Sequence, residues 1–414
     1  MIDLKAARQE PDRFRTALAR RGADQDFEAL LRADTSWREL TERVDKLRAA
    51  QKRRPKSAPS PSEIDELKRA KDELRRTEDE LGQAATQRDT LLARIPNLPH
   101  PTAADGWTDE DAIELRTWGE KPQFDFTPKD HLELGSPRGW IDMARGARMA
   151  GSRFAYRFGD VALTEMAMYR FVLDRLAAKG FMPVLGPVLA SEKPMYGTGF
   201  LPTDESNLYY LEKDHLYLTG TSEVALAAIH MDEILDLDAL PARYTAFSTN
   251  FRREAGAAGK DTRGMFRVHQ FDKVEMYVYC LPEQSGELHE ELLANEEELV
   301  QALGLPYRVV NIAVGDLGGS AAKKYDIEAW FPTQGRYREI TSCSNTTDYQ
   351  ARRLNIRFRR DGRTETVHTL NGTGVTARSL LAIMENFQDE RGVVTVPEVL
   401  RSYGAPATLG ADPQ

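Results

Sequence analysis

Residues 251–275, FRREAGAAGKDTRGMFRVHQFDKVE, place charged side chains where an apolar core would exclude them. Arg252 and Glu254 stand two apart, so an extended strand would turn both to one face. After a loop of Gly, Ala, Lys and Asp, the residues Arg267, His269, Phe271, Lys273 and Glu275 share a face by the same period of two. At a rise of about 3.3 Å per residue, that face runs about 26 Å. It has room for one elongated ligand, with phosphates near the arginines, an aromatic base against Phe271 and a small cationic group near Glu275. A solvated strand face is the plain alternative, but a lone phenylalanine among the charges and a Gly-rich loop favour a nucleotide site.

Three further polar clusters could contribute. Thr221-Ser222-Glu223 puts hydroxyls and a carboxylate at a strand-to-helix corner, a pattern that also suits a helix N-cap. Glu339 and Ser342, followed by Ser344 and Asn345, offer hard oxygen donors of the kind Mg²⁺ prefers. In NGTGVTAR, residues 371–378, glycines are expected to turn the chain into a helix whose first turn carries Arg378. Helix N-termini favour anions, and an arginine there adds fixed charge for a phosphate.

The elements that must position these groups divide into two textures. Residues 1–105 are predicted to form a helical arm and residues 106–414 a domain of mixed helix and strand. The arm is rich in Ala, Arg, Glu, Leu and Lys. Trp37, Leu40, Val44 and Leu47 step by three and four, and Ile64, Leu67, Leu74, Leu81, Ala85 and Leu92 continue the frame, with Lys71, Glu78 and Arg88 in core slots. The proline-rich RPKSAPSPS (54–62) should end one helix, with Ser62 capping the next. An antiparallel hairpin about 40–50 Å long follows from about 1.5 Å per residue. Near its turn, residues 46–56 hold six basic side chains and no acid: Lys46, Arg48, Lys52, Arg53, Arg54 and Lys56.

Beyond residue 106 the pattern alternates helix and strand. Helices are expected over 164–180, about 283–303 and 377–388, and strands at 181–189, 307–316, 326–332 and 338–345. Without regular βαβ alternation this predicts an α+β fold with a mainly antiparallel sheet flanked by helices. No Walker loop or GxGxxG after a first strand points to the parallel nucleotide folds.

The chain has 414 residues, 41% hydrophobic and 29% charged, with a net charge of −9. That charge argues against general nucleic-acid coating and leaves the 46–56 segment as a local contact. No run approaches about 20 apolar residues, the opening MIDLKAARQE lacks a signal peptide, and the two cysteines form no framework. A cytoplasmic protein is the expectation, with no membrane and no DNA partner.

Taken together, the chain resembles the seryl-tRNA synthetase family of class II aminoacyl-tRNA synthetases. The 251–275 stretch is similar to motif 2, VLGPVL around Pro187 to motif 1, and residues 371–388 to motif 3. MYGTGFLPTDESNLYYLE (195–212), SAAKKYDIEAW (320–330) and REITSCSNTTDYQARR (338–353) extend the likeness, as do the hairpin and PNLPH (97–101). The resemblance implies ATP-dependent ligation of L-serine to tRNA(Ser) through a seryl-adenylate, with ATP and Mg²⁺, in a homodimer built on motif 1. It implies catalytic roles for Arg252, Glu254, Arg267 and Arg378. ATP would also meet Arg253, Val268, Phe271, Glu339, Ile340, Thr341 and Ser342, with Glu339 and Ser342 as metal ligands. Serine would meet Thr221, Ser222, Glu223, Arg252, Glu275, Asn371 and Thr373. The arm would grip tRNA through its basic residues.

Three departures stand out. NGTGVTAR is one residue shorter than the expected NGTAVAVGR-like segment, with Ala377 before the arginine, so either Thr373 shifts relative to Arg378 or the loop between them tightens. Asn250 replaces an expected cysteine, and the arm tip is proline-rich and short. These keep open a specialised copy tolerant of serine analogues or seryl-adenylate mimics. A carrier-protein ligase is disfavoured by the retained arm, and a non-catalytic tRNA-binding paralogue by the retained charged site.

Overall fold

A computed structural model describes residues 1–52, 60–255, 261 and 263–410. Arg53, Arg54 and Lys56 therefore lie outside the described residues. The chain forms two compact units, Met1–Leu98 and Pro99–Gln414.

The first unit is helical: α1 (Leu4–Gln9), α2 (Pro11–Ala19), α3 (Asp24–Lys52) and α4 (Pro61–Arg94). Its apolar cluster lies at one end, where Phe14 stacks on Phe27 at 6.0 Å between centroids beside Leu18, Leu30 and Ile95. Further along, α3 and α4 are joined largely by polar contacts. Arg43 pairs with Glu73 at 2.9 Å and Arg48 with Glu78 at 2.8 Å, while the Arg88 guanidinium lies 3.9 Å over the Trp37 ring. The hydrophilic heptad slots are thus filled by pairing and stacking. Ile64 and Lys71 instead face water. The cap of α4 is Ser60, not Ser62. Ser60 and Glu63 form a reciprocal capping box with Pro61 in the first turn, where a missing N–H costs nothing.

The second unit is built on an eight-stranded sheet. In chain order its strands are β1 (Ile113–Trp118), β2 (Met182–Val184), β3 (Ala242–Phe251), β4 (Gln270–Cys280), β5 (Tyr307–Asn311), β6 (Lys323–Phe331), β7 (Arg336–Thr347) and β8 (His368–Thr376). They are arranged β1-β5-β6-β7-β8-β4-β3-β2, antiparallel except for the β2–β3 edge. Strand β4 explains the layering. Val274, Met276, Val278 and Cys280 point into the main core, packed with α5 (Gly159–Ala178), α6 (Ser285–Ala302) and α7 (Ala377–Asn386). Its other side carries Phe271, Lys273 and Glu275, then Tyr277 and Tyr279 in a second apolar cluster. One face is core, and the other passes from site to core along a single strand.

Both cysteines are buried free thiols on this sheet. Burial, with Glu283 nearby, pushes the Cys280 thiol up to about 12, and burial raises Cys343 as well. The expected strand 181–189 is two pieces, because Pro187 and Gly186 interrupt it. Met182–Val184 joins the main sheet, and Leu189–Ala190 joins a separate three-stranded one. Among the described residues no helix is long and apolar enough to cross a membrane.

Candidate active site

A cavity of about 330 Å³ opens where β4, β6, β7 and β8 meet the chain segment after β3. Arg252, Glu254, Arg267, Val268 and Phe271 line it from the 251–275 stretch. Glu339, Ile340, Thr341, Ser342 and Arg378 form its second wall, and Thr221, Glu223, Glu275, Asn371 and Thr373 its inner end. Ser222 and Arg253 do not line it. Ser222 is buried at the start of a short helix, and Arg253 turns away to donate from Nε to the Leu208 carbonyl at 2.7 Å, stacking 4.8 Å over Tyr209.

The geometry corrects the extended reading of this stretch. Strand β3 ends at Phe251, and Glu254 takes a left-handed backbone with φ of 54°. Arg267 lies before β4 begins. The two charges therefore meet in a turn rather than along strands, and Arg267 ion-pairs with Glu254. Only Phe271, Lys273 and Glu275 form the continuous strand face. Arg252 donates from Nε to the Gly220 carbonyl at 3.1 Å, and its guanidinium stands 5.3 Å from the Phe271 ring.

The inner end is anionic. Glu275 pairs with the buried Lys273 and accepts from the Thr221 hydroxyl at 3.0 Å. Thr221 in turn accepts the Glu223 N–H at 3.1 Å, so its hydroxyl is committed to holding the two carboxylates in place. Glu223 accepts from Gln350 at 2.7 Å and Asn371 at 2.9 Å, both amides. Burial, reinforced by the Glu275 charge, raises its carboxyl to about 7, and burial raises Glu275 too. Such a site gains from a small cation carrying hydrogen-bond donors.

The outer end is cationic. Arg378 donates to Glu339 at 3.0 Å, with Lys324 3.9 Å away on the other carboxylate oxygen. Burial opposes ionisation of Glu339, yet Lys324, Arg378 and Arg252 together pull its carboxyl down to about 2. Glu339 and Ser342 are three apart, which in a regular strand would place them on opposite faces. An extra residue in β7 at Ile340, opposite the Ile327/Glu328 step of β6, turns both to the cavity. The Thr341 hydroxyl turns away from the cavity to donate to the buried Glu296 at 3.1 Å, and Cys343 lies in the core. An ionised carboxylate and a hydroxyl together form an oxygen donor set that suits Mg²⁺ with phosphate and water completing it.

The 371–376 segment is strand rather than a glycine turn or a loop. Gly374 is an extra residue of β8 against β4, between the pairs Val274↔Val375 and Glu275↔Thr373. A Cβ there would lie 2.8 Å from Val172 of α5. The strand runs directly into α7, whose N-cap Thr376 accepts from the Arg378 N–H at 3.3 Å.

The seryl-tRNA synthetase N-terminal domain model matches residues 1–99, and the class II core domain of the G, H, P, S and T tRNA synthetases matches 209–387. A serine–tRNA ligase of Thermobifida fusca is 49% identical over 411 residues, covering 97% of each chain. The chain belongs to the seryl-tRNA synthetase family. Among solved structures, the seryl-tRNA synthetase of Pyrococcus horikoshii complexed with ATP superposes with a TM-score of 0.91 at 40% identity over 99% of each chain. The cytoplasmic serine–tRNA ligase of Naegleria fowleri in complex with AMP gives 0.85 at 34%, over 96% of this chain and 95% of that one.

Within this family site, sequence reasoning missed Gln350, Lys324 and Phe266. Gln350 gave no signal, being one amide in a helix 127 positions from Glu223. Lys324 was legible in principle, since it falls two before Asp326, to which it is bonded at 2.9 Å, on one strand face. Phe266 sits between the guanidinium groups of Arg338 and Arg378, at 3.8 and 4.6 Å.

Proposed function

We propose that this chain joins L-serine to tRNA(Ser) at the expense of ATP. The observation that carries the reading is the polarity of one cavity, with paired carboxylates at one end, arginines at the other and Phe271 between. The serine ammonium binds between Glu223 and Glu275, and its carboxylate is thereby directed toward the α-phosphate held by Arg252. Adenine stacks on Phe271, with Glu254 at its amino group. Arg267 and Arg378 take the β- and γ-phosphates. Both leave their present carboxylate partners to do so, an exchange of one anion for another that keeps the charge balance.

A serine carboxylate oxygen attacks the α-phosphorus in line, the bond to the bridging oxygen breaks, and pyrophosphate leaves with the electron pair. This chemistry asks for placement and charge neutralisation, and no protein base need take a proton. Glu339 and Ser342 would hold Mg²⁺, which supplies further neutralisation of the phosphates. The 3′-hydroxyl of the terminal adenosine of the tRNA then attacks the seryl carbonyl and releases AMP. Rejection of alanine rests on the cost of leaving pocket polar groups unpaired, worth about 10⁴–10⁵ in such sites.

The helical unit is the tRNA-binding arm in this reading, with Lys46, Arg48 and Lys52 near its turn and salt-sensitive phosphate contacts. A homodimer is supported by apolar side chains left in water. Leu163 and Met166 on α5 are 51% and 67% exposed, and Met182 and Leu185 are 61% and 91%. The place of action is the cytoplasm. Serine-dependent ATP–pyrophosphate exchange, followed by tRNA charging against alanine, threonine and cysteine, tests the whole reading. Exchange stimulated equally by alanine, or absent with serine, refutes it.

A further inference from the structure

Outside the cavity lies a buried ionisable pair for which the proposed chemistry has no use. His131, in the helical turn His131–Gly135, is 5% exposed, and Glu385 on α7 is fully buried. His131 Nδ1 is 3.1 Å from Glu385 Oε1, while its Nε2 is 3.1 Å from the backbone nitrogen of Met265. A backbone N–H can only donate, so Nε2 accepts and the ring proton sits on Nδ1, donated to Glu385. Thr333 donates to the second carboxylate oxygen at 2.5 Å. Every polar atom of the pair is thus committed, and the pair grips main chain.

What it grips matters. Met265 precedes Phe266 and Arg267 on the segment that returns to β4. The Phe266 carbonyl accepts from Arg378 Nε at 3.3 Å, and its ring lies against Arg338 and Arg378. Gly264, with φ of 85°, passes so close that a Cβ would lie 2.4 Å from His131 Nε2. Polar side chains buried this deep are costly unless each donor and acceptor is paired, so the contacts the pair makes must account for its presence. Resting on the ATP reading above, we propose that His131, oriented by Glu385, is a positioning residue for ATP. It sets the height of the Met265 backbone and so presents Arg267 and the Phe266–Arg378 contact to the phosphates, without touching nucleotide itself.

The test compares full-length wild type, His131→Asn and His131→Gln in serine-dependent pyrophosphate exchange, with melting temperature recorded beside it. The asparagine amide falls near the place of Nδ1 and leaves Met265 N–H without an acceptor. The glutamine amide oxygen reaches the place of Nε2. Expected for His131→Asn is a rise in KM for ATP of about tenfold, the order of one buried hydrogen bond, with KM for serine within about twofold. His131→Gln should recover most of the ATP affinity. Gly264→Ala, which pushes on the same contact from the other side, should show the same ATP-selective rise and serves if His131→Asn fails to fold. Equal changes in both KM values, unchanged KM for ATP, or a lowered melting temperature alone would overturn the proposal. Wild type inactive with serine would instead refute the ligase reading, so the two failures are separable.

Discussion

If serine binds at Glu223 as proposed, the ligand-free and serine-bound proteins should respond to pH in opposite ways. Burial and the Glu275 charge hold its carboxyl at about 7, against an ordinary 4.5. A folded acid that holds its proton more tightly than the unfolded chain adds stability at low pH, and that stability is lost as pH rises from 4.5 through 7. At about 1.4 kcal/mol per pH unit the loss is at most about 3.5 kcal/mol, less to the extent that the cavity mouth admits water. Serine binding in the proposed pose should run the other way, because its ammonium would need the ionised carboxylate. With titration at about 7, KM for serine should be about tenfold higher at pH 6 than at pH 8. Glu223→Gln removes both effects. It should raise the melting temperature of the ligand-free protein at pH 8, flatten the pH dependence of KM for serine between 6 and 8, and weaken serine at the upper end. The assay is pyrophosphate exchange across that range, with thermal melts in the same buffers. A variant whose KM for serine keeps the wild-type pH profile would refute the assignment.

Three other outcomes are expected. Glu339→Gln should raise the Mg²⁺ concentration giving half-maximal exchange by about tenfold or more, measured at saturating ATP; an unchanged Mg²⁺ curve would refute the proposed role of Glu339 in holding the ion. Gly374→Ala should cost about 1–3 kcal/mol in urea unfolding, because the new Cβ meets Val172 at 2.8 Å; a neutral result would mean that α5 yields freely. Replacing Lys52, Arg53 and Arg54 with alanine should weaken tRNA charging and leave exchange intact, and a parallel fall in both would dissolve the division between arm and cavity.

The legible parts of this molecule were those governed by local rules. The hairpin followed from three-four spacing, and the placement of Phe271, Lys273 and Glu275 on one face followed from the period of two. Local rules failed where one residue was added or a backbone reversed. Nothing in REITS announces the extra residue at Ile340, although without it Glu339 and Ser342 could not share a face. Glycine in NGTGVTAR suggested a turn, yet Gly374 is there because a strand bulges beneath a helix that leaves no space for a side chain. Glu254 was placed on the correct wall for an incorrect reason, since its left-handed turn, not an extended strand, brings it to Arg267. His131 and Glu385, 254 positions apart, were invisible for want of any local signal.

The two buried cysteines turn the second unit into its own reporter. A thiol attacks disulfide reagents and alkylators only as thiolate, and both thiols here are shielded and held protonated far above neutral pH. Labelling therefore counts openings of the sheet itself, at Cys280 on β4 and Cys343 on β7, and not fluctuations of the surface. The helical unit contains no cysteine and contributes nothing to the signal. Without any engineered probe, the rate at which the native chain loses its thiols measures the opening of the larger unit while the helical one stays silent.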